Sequence, residues 1–178
     1  MKNFFEEFGL LLKNAIVEDY ASLLRLSGKE NPYACALVTD SDASTLFFAM
    51  NTVEKFNEKI LKVGEKFKAY YKWTPAEWAY GDDDTDKKMV SKASSILSKK
   101  SEEQETRNNY PSFETGLYEC MTTALEKFKE EKCLSEMVMF ISISDDNRAR
   151  SVENYSAKLL NLESVYNDFV KRFDKGIE

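Results

Sequence analysis

Residues 33–51, YACALVTDSDASTLFFAMN, constrain the fold more than any other stretch. Two apolar runs, 33–39 and 45–51, flank Asp40-Ser41-Asp42-Ala43-Ser44. Runs this short, rich in Val, Leu, Phe and Tyr and bounded by turn formers, read as a β-hairpin. In the first run Tyr33, Cys35 and Leu37 fall on one face and Ala34, Ala36 and Val38 on the other. Neither face is polar, which predicts a strand covered on both sides. The alanine face leaves room for a helix to approach closely.

The flanking segments read mainly as helices. Over residues 3–26, Phe5, Phe8, Leu12, Ile16, Tyr20 and Leu23 recur at steps of three and four, the period of an amphipathic helix lying on the sheet. Asn51-Thr52-Val53-Glu54 has the form of an N-cap, and Val53, Phe56, Ile60, Val63, Phe67 and Tyr70 continue as one apolar seam. In Trp73-Thr74-Pro75-Ala76-Glu77-Trp78 the spacing predicts a helix start. Thr74 caps, Pro75 sits first, Glu77 closes a capping box, and the two tryptophans form a hydrophobic staple. A helix through Met89, Val90, Ala93, Ile96 and Leu97 is expected to dissolve into a polar, mobile loop over residues 98–109. Pro111 and Ser112 open another helix, with Phe113, Leu117, Cys120, Met121, Ala124 and Phe128 on one face. Residues 137–143, MVMFISI, are a third strand beside the hairpin. Val152, Tyr155, Leu159 and Leu160 mark a helix ending near Asn161. Leu162, Val165, Phe169 and Phe173 mark a last one, with a charged, frayed tail. No linker or repeat divides the chain. The expectation is one α+β domain over residues 1–178: a small sheet built on the hairpin plus a third strand, packed by about six helices.

Several chemistries are excluded. The chain has no histidine, which removes His-based triads, His-metal sites and His-based pH switching. Its three cysteines, Cys35, Cys120 and Cys133, are too scattered for a disulfide framework or thiolate zinc. Asp82, Asp84 and Asp86 alternate like the start of a calcium loop, but frames from Asp82 or Asp84 close on Ala93 or Ser95 instead of glutamate. No metal, cofactor or catalytic residue is therefore expected. A net charge of −6 argues against nucleic acid; it is compatible with a basic protein partner, but mild acidity mostly serves solubility. Glu6 and Glu7 interrupt any leader, and no apolar run reaches membrane length, so a cytoplasmic protein away from membranes is expected.

Two candidate binding places remain. In the first, Trp78 and Tyr80 are aromatic anchors and Asp82, Asp83 and Asp84 an acidic rim. The bland alternative is that the aromatics plug the core and the aspartates cap the next helix. The second is the loop after the third strand, where Asp145 and Asp146 mix with Arg148 and Arg150. These could bind an anion or move a proton, or could simply cap a helix and pair with one another.

The hairpin with its acidic turn, Tyr71-Lys72-Trp73-Thr74-Pro75-Ala76-Glu77-Trp78, the strand Phe140-Ile141-Ser142-Ile143-Ser144-Asp145-Asp146 and Ser156-Ala157-Lys158-Leu159-Leu160-Asn161 run through most of the chain. Together they resemble domain-of-unknown-function family 4303, a family of small bacterial proteins. The resemblance implies a bacterial cytosolic protein and supplies no catalytic residues. Families of this kind often include immunity partners of toxins. The expected function is a non-catalytic protein-binding module, an immunity-type partner of a bacterial toxin. The alternatives are a small-molecule-binding domain with an aromatic pocket, or a carboxylate enzyme using Asp145 or Asp146 with Arg148.

Overall fold

The structure, a computed structural model, describes residues 2–106 and 109–173. Helix α1 (Lys2–Ser27) leads into strands β1 (Pro32–Thr39) and β2 (Leu46–Thr52). Then come α2 (Val53–Val63), α3 (Lys68–Trp73), β3 (Tyr80–Gly81), α4 (Met89–Thr106) and α5 (Tyr110–Lys132). Strand β4 (Val138–Ile143), α6 (Ala149–Leu160) and α7 (Glu163–Val170) complete the order. Among the described residues this is an α+β fold of seven helices and one four-stranded sheet, ordered β3-β2-β1-β4. The sheet is mixed: β1 pairs antiparallel with β2 and parallel with β4. The hairpin and the third strand are as the sequence predicts. The fourth strand escaped because it is only two residues long, paired to Ala49 and Met50.

The two faces of the sheet carry separate cores. Cys35, Leu37, Phe48, Met50, Met139 and Ile141 lie under α1, α4 and α5, against residues such as Leu12, Ile16, Leu97, Leu117 and Phe128. Ala34, Ala36, Val38 and Ala49 form the other face with Phe140, Trp73, Trp78 and Phe169. What approaches the alanines is therefore mainly a set of rings rather than a helix backbone. Tyr33 was expected beside Cys35, but it packs on the aromatic face. The register shifts between Pro32 and Ala34, and such a bulge breaks the alternation of side chains.

Three helix boundaries differ from expectation. The seam from Val53 to Tyr70 is cut at Gly64, whose φ of 95° ends α2 while its amide donates to the Ile60 carbonyl at 2.8 Å. The cap of α2 is Thr52, whose hydroxyl accepts from the Lys55 amide, while Glu54 reaches back to Asn31. The stapled helix at Pro75 does not form. Pro75–Glu77 is a single 3-10 turn, Thr74 makes no side-chain cap, and Trp78 is already extended at φ −75°, ψ 157°. Both indoles turn inward instead, and tertiary burial outweighs the local signal.

The polar segment expected to be a loop is helical as far as Thr106. Its serine and glutamine are used internally. Ser101 and Gln104 are buried, and the Ser101 hydroxyl donates to the Asp42 carbonyl in the hairpin turn. Arg107 and Asn108, in the rest of that expected loop, lie outside the described residues, as does the expected charged tail beyond Phe173. The start of α4 is capped from a distance. Asp19 of α1 accepts from the amides of Met89 and Val90 at 3.0 and 2.8 Å, and Thr85 accepts from Lys88. The aspartates of the acidic turn cap none of its backbone amides; Asp82 accepts instead from the Ser91 hydroxyl in its first turn.

Candidate functional site

The first candidate surface is taken up by the fold. Trp78 is buried at 9% exposure, donates its indole N–H to the Lys72 carbonyl, and meets Phe140 edge-on at 5.8 Å. The Tyr80 hydroxyl donates to Glu30 at 2.8 Å, and burial together with Glu30 pushes the phenol up to about 12. Asp82 is 1% exposed; its carboxylate accepts from the Phe48 amide and from the Ser91 hydroxyl. Only Asp83 and Asp84 of the expected rim face solvent, and these pair with Lys88 and the Gly81 amide. An anchor ringed by free carboxylates does not exist here.

The strand-end loop is more open. Ser144 to Arg150 meets the turn carrying Trp73 and Pro75, so the two segments singled out in the sequence line one cleft of about 540 Å³. It sits at the ends of β1 and β4, near Val38 and Ile143. Its floor is closed by Glu153, which accepts from the Ser142 hydroxyl at 2.6 Å and from the buried Arg172 guanidinium at 2.7 Å. Arg148 is held by Asp146 on one side and by a two-bond contact with Glu114 on the other. Those hydrogen bonds hold the Asp146 carboxyl below its usual range, which makes it a poor proton carrier near neutrality. Asp145 is exposed with φ 55°, and the Arg150 guanidinium lies 5.8 Å from the Phe173 ring. Among the described residues no three His, Cys, Asp or Glu side chains group to hold a metal ion.

The third place was not foreseen. Helix α6 lies along the free edge of β4, where backbone groups need partners. The Asn161 amide accepts from Met139 N at 2.9 Å and donates to Met139 O at 2.7 Å. Ser156 Oγ accepts from Ile141 N at 3.0 Å. Leaving such buried groups unpaired would cost about 1–3 kcal/mol each. These bonds fix the rotation of α6, so that Glu153, Ser156, Ala157 and Leu160 are buried. Tyr155 and Leu159 are thereby turned outward, while Val152 packs half-buried against the core. Tyr155 is 68% exposed and Leu159 55%. The four residues Val152, Tyr155, Leu159 and Leu160 mark the helix as the spacing predicts, and of them Leu160 is buried and Val152 half-buried. The available signal was Ser156 and Asn161, polar residues spaced to meet an edge strand.

Between α6 and α5 lies a groove of about 610 Å³ floored by Ile141. Tyr118, Glu119, Thr122 and Glu126 form the α5 bank, and Val152, Tyr155 and Leu159 the other. Glu119 and Glu126 are exposed and have no hydrogen bond or ion pair among the described residues. The Tyr118 hydroxyl is committed to Glu114 at 2.9 Å.

Fold and surface together define an α+β domain with a four-stranded mixed sheet and an apolar groove left open between two helices. The domain of unknown function DUF4303 matches residues 12–162, and the chain belongs to that family. No curated protein and no solved structure matches it. No helix of the described residues is long and apolar enough to cross a membrane.

Proposed function

We propose that this protein is a non-catalytic protein-binding module that seats its partner in the groove between α5 and α6, and that it acts as an immunity-type partner of a bacterial toxin. The observation that carries the binding role is the rotation of α6, which buries Glu153, Ser156 and Ala157 and leaves Tyr155 and Leu159 in solvent. Contiguous exposed apolar surface of this kind marks interaction sites. Family membership supports the immunity role by association alone. The test uses a tagged full chain recovered from its own cell. Wild type should retain a protein that Leu159→Asp, with an unchanged melting temperature, releases. Identical recoveries would remove the groove from consideration. Protection of growth when the recovered partner is overproduced tests the immunity role.

The cleft at the strand ends supports a second reading, a small-molecule site. Its volume of about 540 Å³ suits a small ligand, and Trp73 and Asp145 both line it. Native mass spectrometry of the freshly purified chain should then show a bound species that Asp145→Lys loses. An unliganded mass in both would set this reading aside.

A further inference from the structure

We infer that the groove takes an amphipathic helix whose apolar face is flanked by two lysine or arginine side chains two turns apart. This rests on the groove being the interface, and adds the chemistry of the partner. Three observations converge on it.

The first is backbone supply. A partner adding a strand needs a free edge, and β4 is met by side chains while β2 is met by the two-residue β3 and by side chains beside it. Asn161 and Ser156 serve β4, while Asp82 and Ser94 accept from the amides of Phe48 and Leu46 on β2. The partner must therefore bring its own satisfied backbone, as a helix does. The second is shape. The groove runs between two helices over Ile141, the place a further helix of a layered fold would occupy. A concave surface cannot fill a copy of itself, so an isologous pair of chains is disfavoured.

The third is charge. Glu119 and Glu126 stand on the same bank of α5, seven positions and hence about 10 Å apart along the axis. Neither has a counter-ion among the described residues. The α6 residues lining the opposite bank, Ser151, Val152, Tyr155 and Leu159, are uncharged. The nearby cation Arg148 is already matched by Glu114 and Asp146. An occupant must bring two positive charges on one flank, at the spacing of the two glutamates, and none is demanded on the other.

The test is a selection against the full chain from a displayed library of 18-residue helices. Leucine is fixed along one face and the flanking positions are random. Selected helices should be enriched in Lys and Arg on one flank at a spacing of seven. Their affinity should fall about tenfold or more with Leu159→Ala or Tyr155→Ala. It should fall roughly twofold to fivefold for each of Glu119→Gln and Glu126→Gln. The double variant Glu119→Lys, Glu126→Lys should instead select acidic flanks, a reversal that loss of folding cannot imitate. Helices lost on Leu159→Asp but showing no charge bias would overturn the partner class and leave the groove standing. Helices indifferent to Leu159→Asp would overturn both. The absence of any binder above the empty scaffold overturns the inference too, as does a concentration-dependent dimer abolished by Leu159→Asp.

Discussion

The two faces of the sheet are covered by different means. Under α1, α4 and α5 the cover comes from long helices, each contributing a stripe at the helical period. On the opposite face it comes from single rings brought from distant segments: Tyr33, Trp73, Trp78, Phe140 and Phe169. Trp73 meets Phe169 at 5.2 Å, Phe140 meets Phe169 at 4.8 Å, and Tyr33 lies edge-on to both indoles. The first face is local information repeated along a helix. The second is long-range information, in which each ring depends on the others being placed.

The comparison can be tested most severely by removing one buried ring from each face. Phe128→Ala and Phe140→Ala should each cost about 3–5 kcal/mol, the usual cost of truncating a buried phenylalanine. Both tryptophans of the chain lie on the aromatic face. Tryptophan emission therefore reports that face, while far-ultraviolet circular dichroism reports the helices. In urea the two signals should coincide for wild type, as in a cooperative unit. With Phe140→Ala the emission change should move to lower urea than the dichroism. Coincident curves for that variant would mean that the faces are not separable.

A smaller effect is expected at the boundary between the faces, where Asp82 supplies the outer edge of β2. Asp82→Ala leaves the Phe48 amide and the Ser91 hydroxyl without their acceptor and should cost about 1–3 kcal/mol. Burial pushes the Asp82 carboxyl above its ordinary value of 3.8, against the bonds from Ser91 and Phe48. The folded protein thus holds that proton more tightly than the unfolded chain. Wild type loses stability as the pH rises through 3.8 toward the raised value. The gap between wild type and variant should be wider below that window than above it. A gap that widens with rising pH instead would show that the carboxylate is stabilised by its bonds more than it is penalised by burial.

The smallest effects separate two threonines that look alike in the sequence. Thr52 caps α2 and donates to Glu30, so Thr52→Ala should lower stability by about 1 kcal/mol. Thr74 caps nothing, so Thr74→Ala should stay within about 0.5 kcal/mol. Equal losses in thermal melts would restore the capping box at Pro75.

The same division explains what could be read from the chain. The hairpin, α1 and α5 were legible because each carries its own period over many residues. The Trp73–Trp78 segment misled because its letters satisfy a local rule, while the packing of both indoles depends on Phe140 and Phe169, far along the chain. Helix α4 runs further than expected because Ser101 and Gln104, loop-like in the sequence, are both buried, and Ser101 donates to the Asp42 carbonyl of the hairpin turn. Of the candidate site, the strand-end loop was found and its pairing with the Trp73 turn was not. The groove was missed for one reason: α6 offers two faces. The choice between them is made by hydrogen bonds to β4, not by hydrophobicity.

The parallel pairing of β1 with β4 has a consequence for how the chain reaches this state. Thr39 and Ile143 are neighbours in the sheet, yet roughly a hundred residues are made between them. During synthesis the hairpin can close early, since its two strands are adjacent in sequence. The inner edge of β1 then waits until β4 has left the ribosome, and α6 must follow before β4 is itself covered. For that interval a strand of Ala, Cys, Leu and Val presents an unpaired edge to its surroundings. Completion of this sheet is a late, non-local event, and the time spent before it is when the nascent chain is most exposed to association with its neighbours.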